Sequence, residues 1–320
     1  MVLNKNHLFL RVSLLISPIY SITYSIFFLS LLLLSVPCFA DVLYTHDIDS
    51  KEYISGTYQA VMKTGFSGNS MYVDKQIKYT GELMTRFFGK VKEQRDTAHF
   101  LIDKNQIREI DWNKSEVVVF PIKDLENIRW FKDKEQFMAA ADGMLKERYE
   151  VVKPDIKITI SPKKESINGY ECTHLTADLK LETKDLKKEA SSITNISQQL
   201  WLSDDIPGFK EYKNFHSGLS KQLGVEAERM GFLNFLLQYW SGPLEPVLTQ
   251  LNGIEGFPVK SIVNVEATYI KNSKDSKKPP DKVSKTIKQE TMILKDAKIM
   301  DSLDMAHFQE DIPMRTVIVE

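Results

Sequence analysis

Two polar clusters interrupt a β-forming run between residues 97 and 122, and this spacing restricts the fold more than any other feature of the chain. Phe100, Leu101 and Ile102 run into Asp103-Lys104-Asn105. Residues 107–112 run into Asn113-Lys114, and residues 117–120 stop at Pro121. Asn and Asp bond their own backbone and tolerate positive φ, while Pro has no N–H to give a ladder, so the stretch predicts a three-strand antiparallel meander. Such a meander buries one face and wets the other. What covers the buried face therefore decides what the protein does.

Upstream, residues 54–64 alternate with Tyr58, Ala60 and Met62 on one side and Thr57, Gln59, Val61 and Lys63 on the other, a half-buried strand. Residues 71–79 and 83–91 read as the next two. With the meander this gives about six strands on short turns, the pattern of one antiparallel sheet and not of alternating βα units.

Strands resume at 156–160 after Pro154. Asn168-Gly169 is a two-residue hairpin signal before 170–181, where Leu175, Ala177, Leu179 and Leu181 share a face. The Lys-rich run 180–188 reads as a solvated hairpin end. Short strands at 198–202, 259–270, 284–294 and 316–319 complete the set, and the Lys- and Pro-containing segment 271–282 reads as a solvated loop. The tail after Lys298 reads as irregular.

Helical periodicity occurs in four places. Residues 133–149 place Phe137, Met138, Ala141, Met144, Leu145 and Arg148 at three- and four-residue spacing. Residues 209–223 do the same with Phe209, Tyr212, Phe215, Leu219 and Leu223, ahead of Gly224. Residues 227–240 are apolar around most of the circumference, including Phe235 and Trp240, which makes this helix either core or a cover over something apolar. A short helix is predicted at 244–251.

The N-terminus carries Lys5, Arg11, an apolar run over 22–36 and Pro37-Cys38-Phe39-Ala40, a secretory signal with cleavage expected after Ala40. The run is shorter than the roughly 20 residues of a spanning helix, so the exported chain is not expected to be integral to the membrane. Of 42 basic and 43 acidic residues, the segment 1–40 removes Lys5 and Arg11 and no acid. The exported chain is slightly acidic, and nucleic acid is excluded as a partner class because phosphate binding needs a clustered basic excess. Cys172 alone remains after Cys38 is removed, so no internal disulfide is possible.

The residues offer little chemistry. His46, His99, His174, His216 and His307 lack metal-ligand spacing to one another or to Cys172, and no nucleophile elbow or phosphate loop is present. No cofactor and no metal are expected, and no enzyme activity. Cys172 lies two residues from His174 on a strand, a spacing that recurs by chance.

Four segments carry a family resemblance: Phe-Leu-Ile-Asp-Lys-Asn-Gln-Ile-Arg-Glu-Ile-Asp (100–111), Ile-Asn-Gly-Tyr-Glu-Cys (167–172), Leu-Trp-Leu-Ser-Asp-Asp-Ile-Pro-Gly (200–208) and Gly-Phe-Pro-Val-Lys (256–260). Together they resemble bacterial exported proteins of the LolA/LolB-like lipoprotein-carrier superfamily. The chain departs from the carriers in its larger size and in a helical insertion at about 205–252. The resemblance implies an α+β fold, a curved open antiparallel half-barrel with helices on the concave face, and an apolar ligand there.

The expectation is therefore a signal peptide at 1–40 and a single domain at 41–320, with about ten strands and helices 133–149, 209–223 and 227–240 over one face. Its function would be non-catalytic, periplasmic or secreted binding of a hydrophobic small molecule, lipid or acyl chain. Candidate cavity residues are Tyr58, Met62, Val117, Val119, Leu175, Leu179, Trp201, Phe235, Trp240 and Val263. The alternative is a structural or signalling protein of the cell envelope that works through a protein partner.

Overall fold

Among the described residues the strands assemble into one 12-stranded open sheet, in the order β12-β6-β5-β4-β3-β2-β1-β11-β10-β9-β8-β7. The strands are β1 Asp41–Glu52, β2 Gly56–Ser67, β3 Ser70–Tyr79, β4 Glu93–Leu101, β5 Gln106–Asp111, β6 Glu116–Pro121, β7 Tyr149–Ile167, β8 Tyr170–Asp185, β9 Ala190–Ser203, β10 Phe257–Lys271, β11 Asp281–Met300 and β12 Arg315–Ile318. Helix α1 spans Phe209–Leu223. The structure is a computed structural model and describes residues 41–53, 56–81, 92–122, 149–188, 190–223, 249–251, 254–271, 280–303 and 315–318. These all belong to one compact unit.

The meander forms as its turns require. A single 3-10 turn, Ile102–Lys104, closes on Asn105 at φ 51°, the left-handed region Asn tolerates. Asn168 and Gly169 have φ 52° and 87°, the pair of positive angles that a tight hairpin turn needs. Pro121 ends β6 and α1 takes the predicted bounds.

Several expectations are corrected. Among the described residues the sheet has twelve strands against the about ten expected, and one of them, β1 at the start of the exported chain, has no counterpart in the sequence reading. It lies at the centre, antiparallel to β2 on one side and β11 on the other. β7 runs through Pro154 and does not begin after it. A proline is tolerated there because β7 is the sheet edge and the register shifts between Val152 and Asp155. The tail after Lys298 is regular as far as Met300, and β12 pairs parallel with β6.

Helix α1 packs Tyr212, Phe215 and Leu219 onto one sheet face. Helices 133–149 and 227–240 fall on residues 123–148 and 224–248, outside the described residues, as does strand 83–91; Tyr149 already opens β7. Of 244–251, residues 249 and 250 are described and helical. No helix among the described residues is long and apolar enough to cross a membrane.

Beneath α1 the core is aromatic. Tyr44 stacks on Phe257 at 4.1 Å, and Phe66 meets Tyr212 and Phe215 edge-on at 5.6 and 5.5 Å. The entry to α1 is fixed by Gly208, at φ 78°, where an added Cβ would sit 2.3 Å from the Val42 side chain. The Tyr44 hydroxyl donates to the Pro207 carbonyl at 2.9 Å and ties this turn to the sheet centre.

Candidate functional site

Reading across the register, residues opposite one another share a face. Leu175, Leu200, Ser261, Met292, Ile48 and Ala60 form one rung. Ala177, Gln198, Val263, Glu290, Ser50 and Tyr58 form the next, followed by Leu179, Ile196, Val265, Lys288 and Glu52. This is the face that carries α1, farther along the strands. On β8 to β10 the rungs are aliphatic and closed, with Leu175, Leu179 and Val263 at 0%, 1% and 3% exposure, and Leu251 and Ile254 pack against them.

On β11, β1 and β2 the first rung stays apolar through Met292, Ile48 and Ala60, whereas the second and third become polar. The Lys288 ammonium lies 3.0 Å from Glu52 and 3.1 Å from Glu290, and the Tyr58 hydroxyl donates to Glu290 at 2.7 Å. Burial alone would lower Lys288, but the Glu290, Tyr58 and Glu52 oxygens raise it above the usual lysine range. Burial likewise pushes Glu290 up, yet Lys288 and Lys75 hold it below the ordinary carboxylate value. Lys75 sits 5.3 Å above the Tyr58 ring; desolvation lowers it, and Glu290 only partly opposes this. The face is therefore amphipathic along its rungs, aliphatic at one side and a compact charged network at the other.

The candidate residues divide three ways. Tyr58, Met62, Leu175, Leu179 and Val263 lie on this face, with Tyr58 and Met62 at its polar end. Val117, Val119 and Trp201 lie on the opposite face. Val117 is level with Ile110 and Thr97, Val119 with Arg108, and Trp201 with His174 and Lys260. The Trp201 ring stacks on His174 at 4.4 Å beneath the Lys260 ammonium at 4.6 Å, and its N–H donates to Glu165 at 2.8 Å. Phe235 and Trp240 are outside the described residues.

Sequence reading missed Lys288, Glu290, Glu52 and Lys75. Alternating charge in a strand does not announce which neighbouring strand it faces.

The opposite face of β1 to β4 holds an open groove of about 720 Å³ lined by Asp47, Asp49, Gln59, Lys78, Glu93 and Trp112 among others. Arg95 pairs with Asp74 at 2.7 Å and covers the Trp112 ring at 4.2 Å. Ile48, Ala60, Val61 and Ile77 also line it, so the groove mixes charged with apolar surface. Cys172 is buried, its thiol raised by desolvation, and its S–H donates to the Tyr170 carbonyl at 3.5 Å. Such a thiol is a poor nucleophile. Among the described residues no three His, Cys, Asp or Glu side chains are grouped to hold a metal.

No family model matches the chain, and no curated protein matches it. Several solved structures are similar to it, among them these two. One is a LolA superfamily protein from Nitrosomonas europaea, at 10% identity over 85% of this chain and 91% of that one, with a TM-score of 0.24. The other is a domain from Vibrio parahaemolyticus named for outer membrane lipoprotein sorting, at 10% identity over 86% and 91%, with a TM-score of 0.22. The function is read from this chain's own residues.

Proposed function

We propose that the protein is a non-catalytic, extracytoplasmic binding protein for a hydrophobic ligand, a lipid or acyl chain, held on the amphipathic face that runs from β8 across β11 to β3. The supporting observation is the transition along two rungs, from Leu179, Ile196 and Val265 to Lys288 and Glu52 and from Ala177 and Val263 to Glu290 and Tyr58. An amphipathic ligand has the same two ends. Its chain lies against the aliphatic rungs, and an acidic headgroup faces Lys75, the network cation whose pKa is lowered. Ten methylenes removed from water gain about 0.8 kcal/mol each, which leaves several kcal/mol after ordering costs.

Export is inferred from the signal at residues 1–40. Detergent-free purification from the periplasm of a Gram-negative host followed by native mass spectrometry is expected to show a chain starting at Asp41 with a bound apolar mass. A bare chain that takes up no fatty acid would overturn the reading.

A second reading has its own observation. The near-zero exposure of Leu175 and Leu179 is also that of a closed core. In that case the protein acts in the cell envelope through a protein partner.

A further inference from the structure

The end of the sheet remote from α1 is built differently from the rest. Two hairpin ends lie side by side there, because Ala190 at the start of β9 is level with Lys271 at the end of β10, which in turn is level with Asp281 at the start of β11. Their apolar residues face water. Leu186 is 57% exposed, Tyr269 44%, Val283 65% and Tyr53, just past β1, 57%.

The charges at this end are mostly basic. Asp185 accepts from the backbone N–H groups of Lys187 and Lys188, which folds the turn. Lys184 is held by Glu150 at 3.2 Å, and the Lys285 ammonium caps the Tyr53 ring at 3.1 Å. Lys187, Lys188, Lys271 and Lys282 have no carboxylate partner among the described residues, and Asp281 is the exposed acid beside them. A chain of net charge −1 thus concentrates cations at one end.

We propose that this end docks on an anionic lipid bilayer. Protruding apolar side chains ringed by lysines match the two components of interfacial binding, apolar insertion and attraction to acidic headgroups. Register adds a reason for the location. Tyr269 opposes Val283 and continues the alternation of Val263, Val265 and Ala267, so the aliphatic face runs out to the docking end.

Flotation of the exported chain with vesicles of phosphatidylcholine, alone or with phosphatidylglycerol, tests this. Binding is expected only to the anionic vesicles and is expected to fall steeply with salt. Each lysine near the surface contributes about fivefold. Lys271→Gln with Lys282→Gln should therefore weaken binding about 25-fold, and Leu186→Ser with Val283→Ser should weaken it at least tenfold, with unfolding midpoints unchanged. Equal binding to both vesicles, binding to neither, or unchanged binding by the lysine variants would overturn the proposal. It goes beyond the carrier reading and can fail separately. Fatty-acid uptake without vesicle binding defeats docking alone, and vesicle binding without uptake defeats the carrier reading alone.

Discussion

One sheet face holds two cores of different character. Under α1 the contacts are aromatic and directional: Tyr44 on Phe257, Phe66 on Phe215, and His216 against Tyr212 at 4.3 Å. On β8 to β10 they are aliphatic and spread over level rungs. Rings packed edge-on and hydrogen-bonded to the chain at Pro207 define one geometry, whereas a field of Leu, Ile and Val accepts any apolar surface of adequate area. The aromatic region is read as structural and the aliphatic region as the binding face.

The largest expected effect falls in the aromatic region. Phe215→Ala should cost about 3 to 5 kcal/mol in urea unfolding, since it empties a fully buried ring site. Its fatty-acid affinity, measured where the variant remains folded, should not change. A stability loss below about 1 kcal/mol would mean that α1 does not seal this end.

Acid should act on the same region. His46 is buried beside Phe257, and desolvation pulls it down to about 4 from 6.5. A histidine with a depressed folded value is neutral in the native state and protonates on unfolding, so its contribution is complete above pH 6.5 and is lost as pH falls toward 4. The loss is about 2 to 3 kcal/mol by pH 4.5, and His216, also lowered to about 4 by desolvation, adds a loss of the same sign. Hydrogen exchange between pH 6.5 and 4.5 should therefore loosen β1 and α1 before β8. Uniform loosening, or no loss in wild type relative to His46→Phe, would contradict this.

Much of the frame was legible in sequence, and the reason is local chemistry. Asn168-Gly169, the turns at Asn105 and Asn113, and the three- and four-residue spacing of Tyr212, Phe215 and Leu219 are each decided by neighbours in the chain. β1 was missed because its buried side, Val42, Tyr44, His46, Ile48 and Ser50, mixes polar with apolar residues. Their partners lie far away in sequence, as when the His46 ring nitrogen Nε2 meets the Pro258 carbonyl at 3.3 Å. Trp201 could not be assigned a face because Leu200, Trp201 and Leu202 are all apolar and period two has nothing to count. Of the site, the aliphatic strand face was visible in Leu175 and Leu179, and the charged network beyond it was not.

The smallest expected effect is at Cys172. Cys172→Ala removes a buried thiol that donates one long bond, and should cost about 1 kcal/mol with ligand uptake unchanged. Loss of a measurable activity with the fold intact would restore a catalytic reading.

The most direct test of the binding face is titration of the exported chain with a fluorescent fatty acid, using one tryptophan substitution on each side of the sheet. Saturable uptake is expected in the wild type. It should be abolished by Leu179→Trp, which fills the aliphatic rung at a stability cost of about 1 to 3 kcal/mol, and preserved in Val61→Trp, on the other face and 40% exposed. No saturable uptake in the wild type, or equal loss in both variants, would contradict a ligand held on the rungs of β8 to β10.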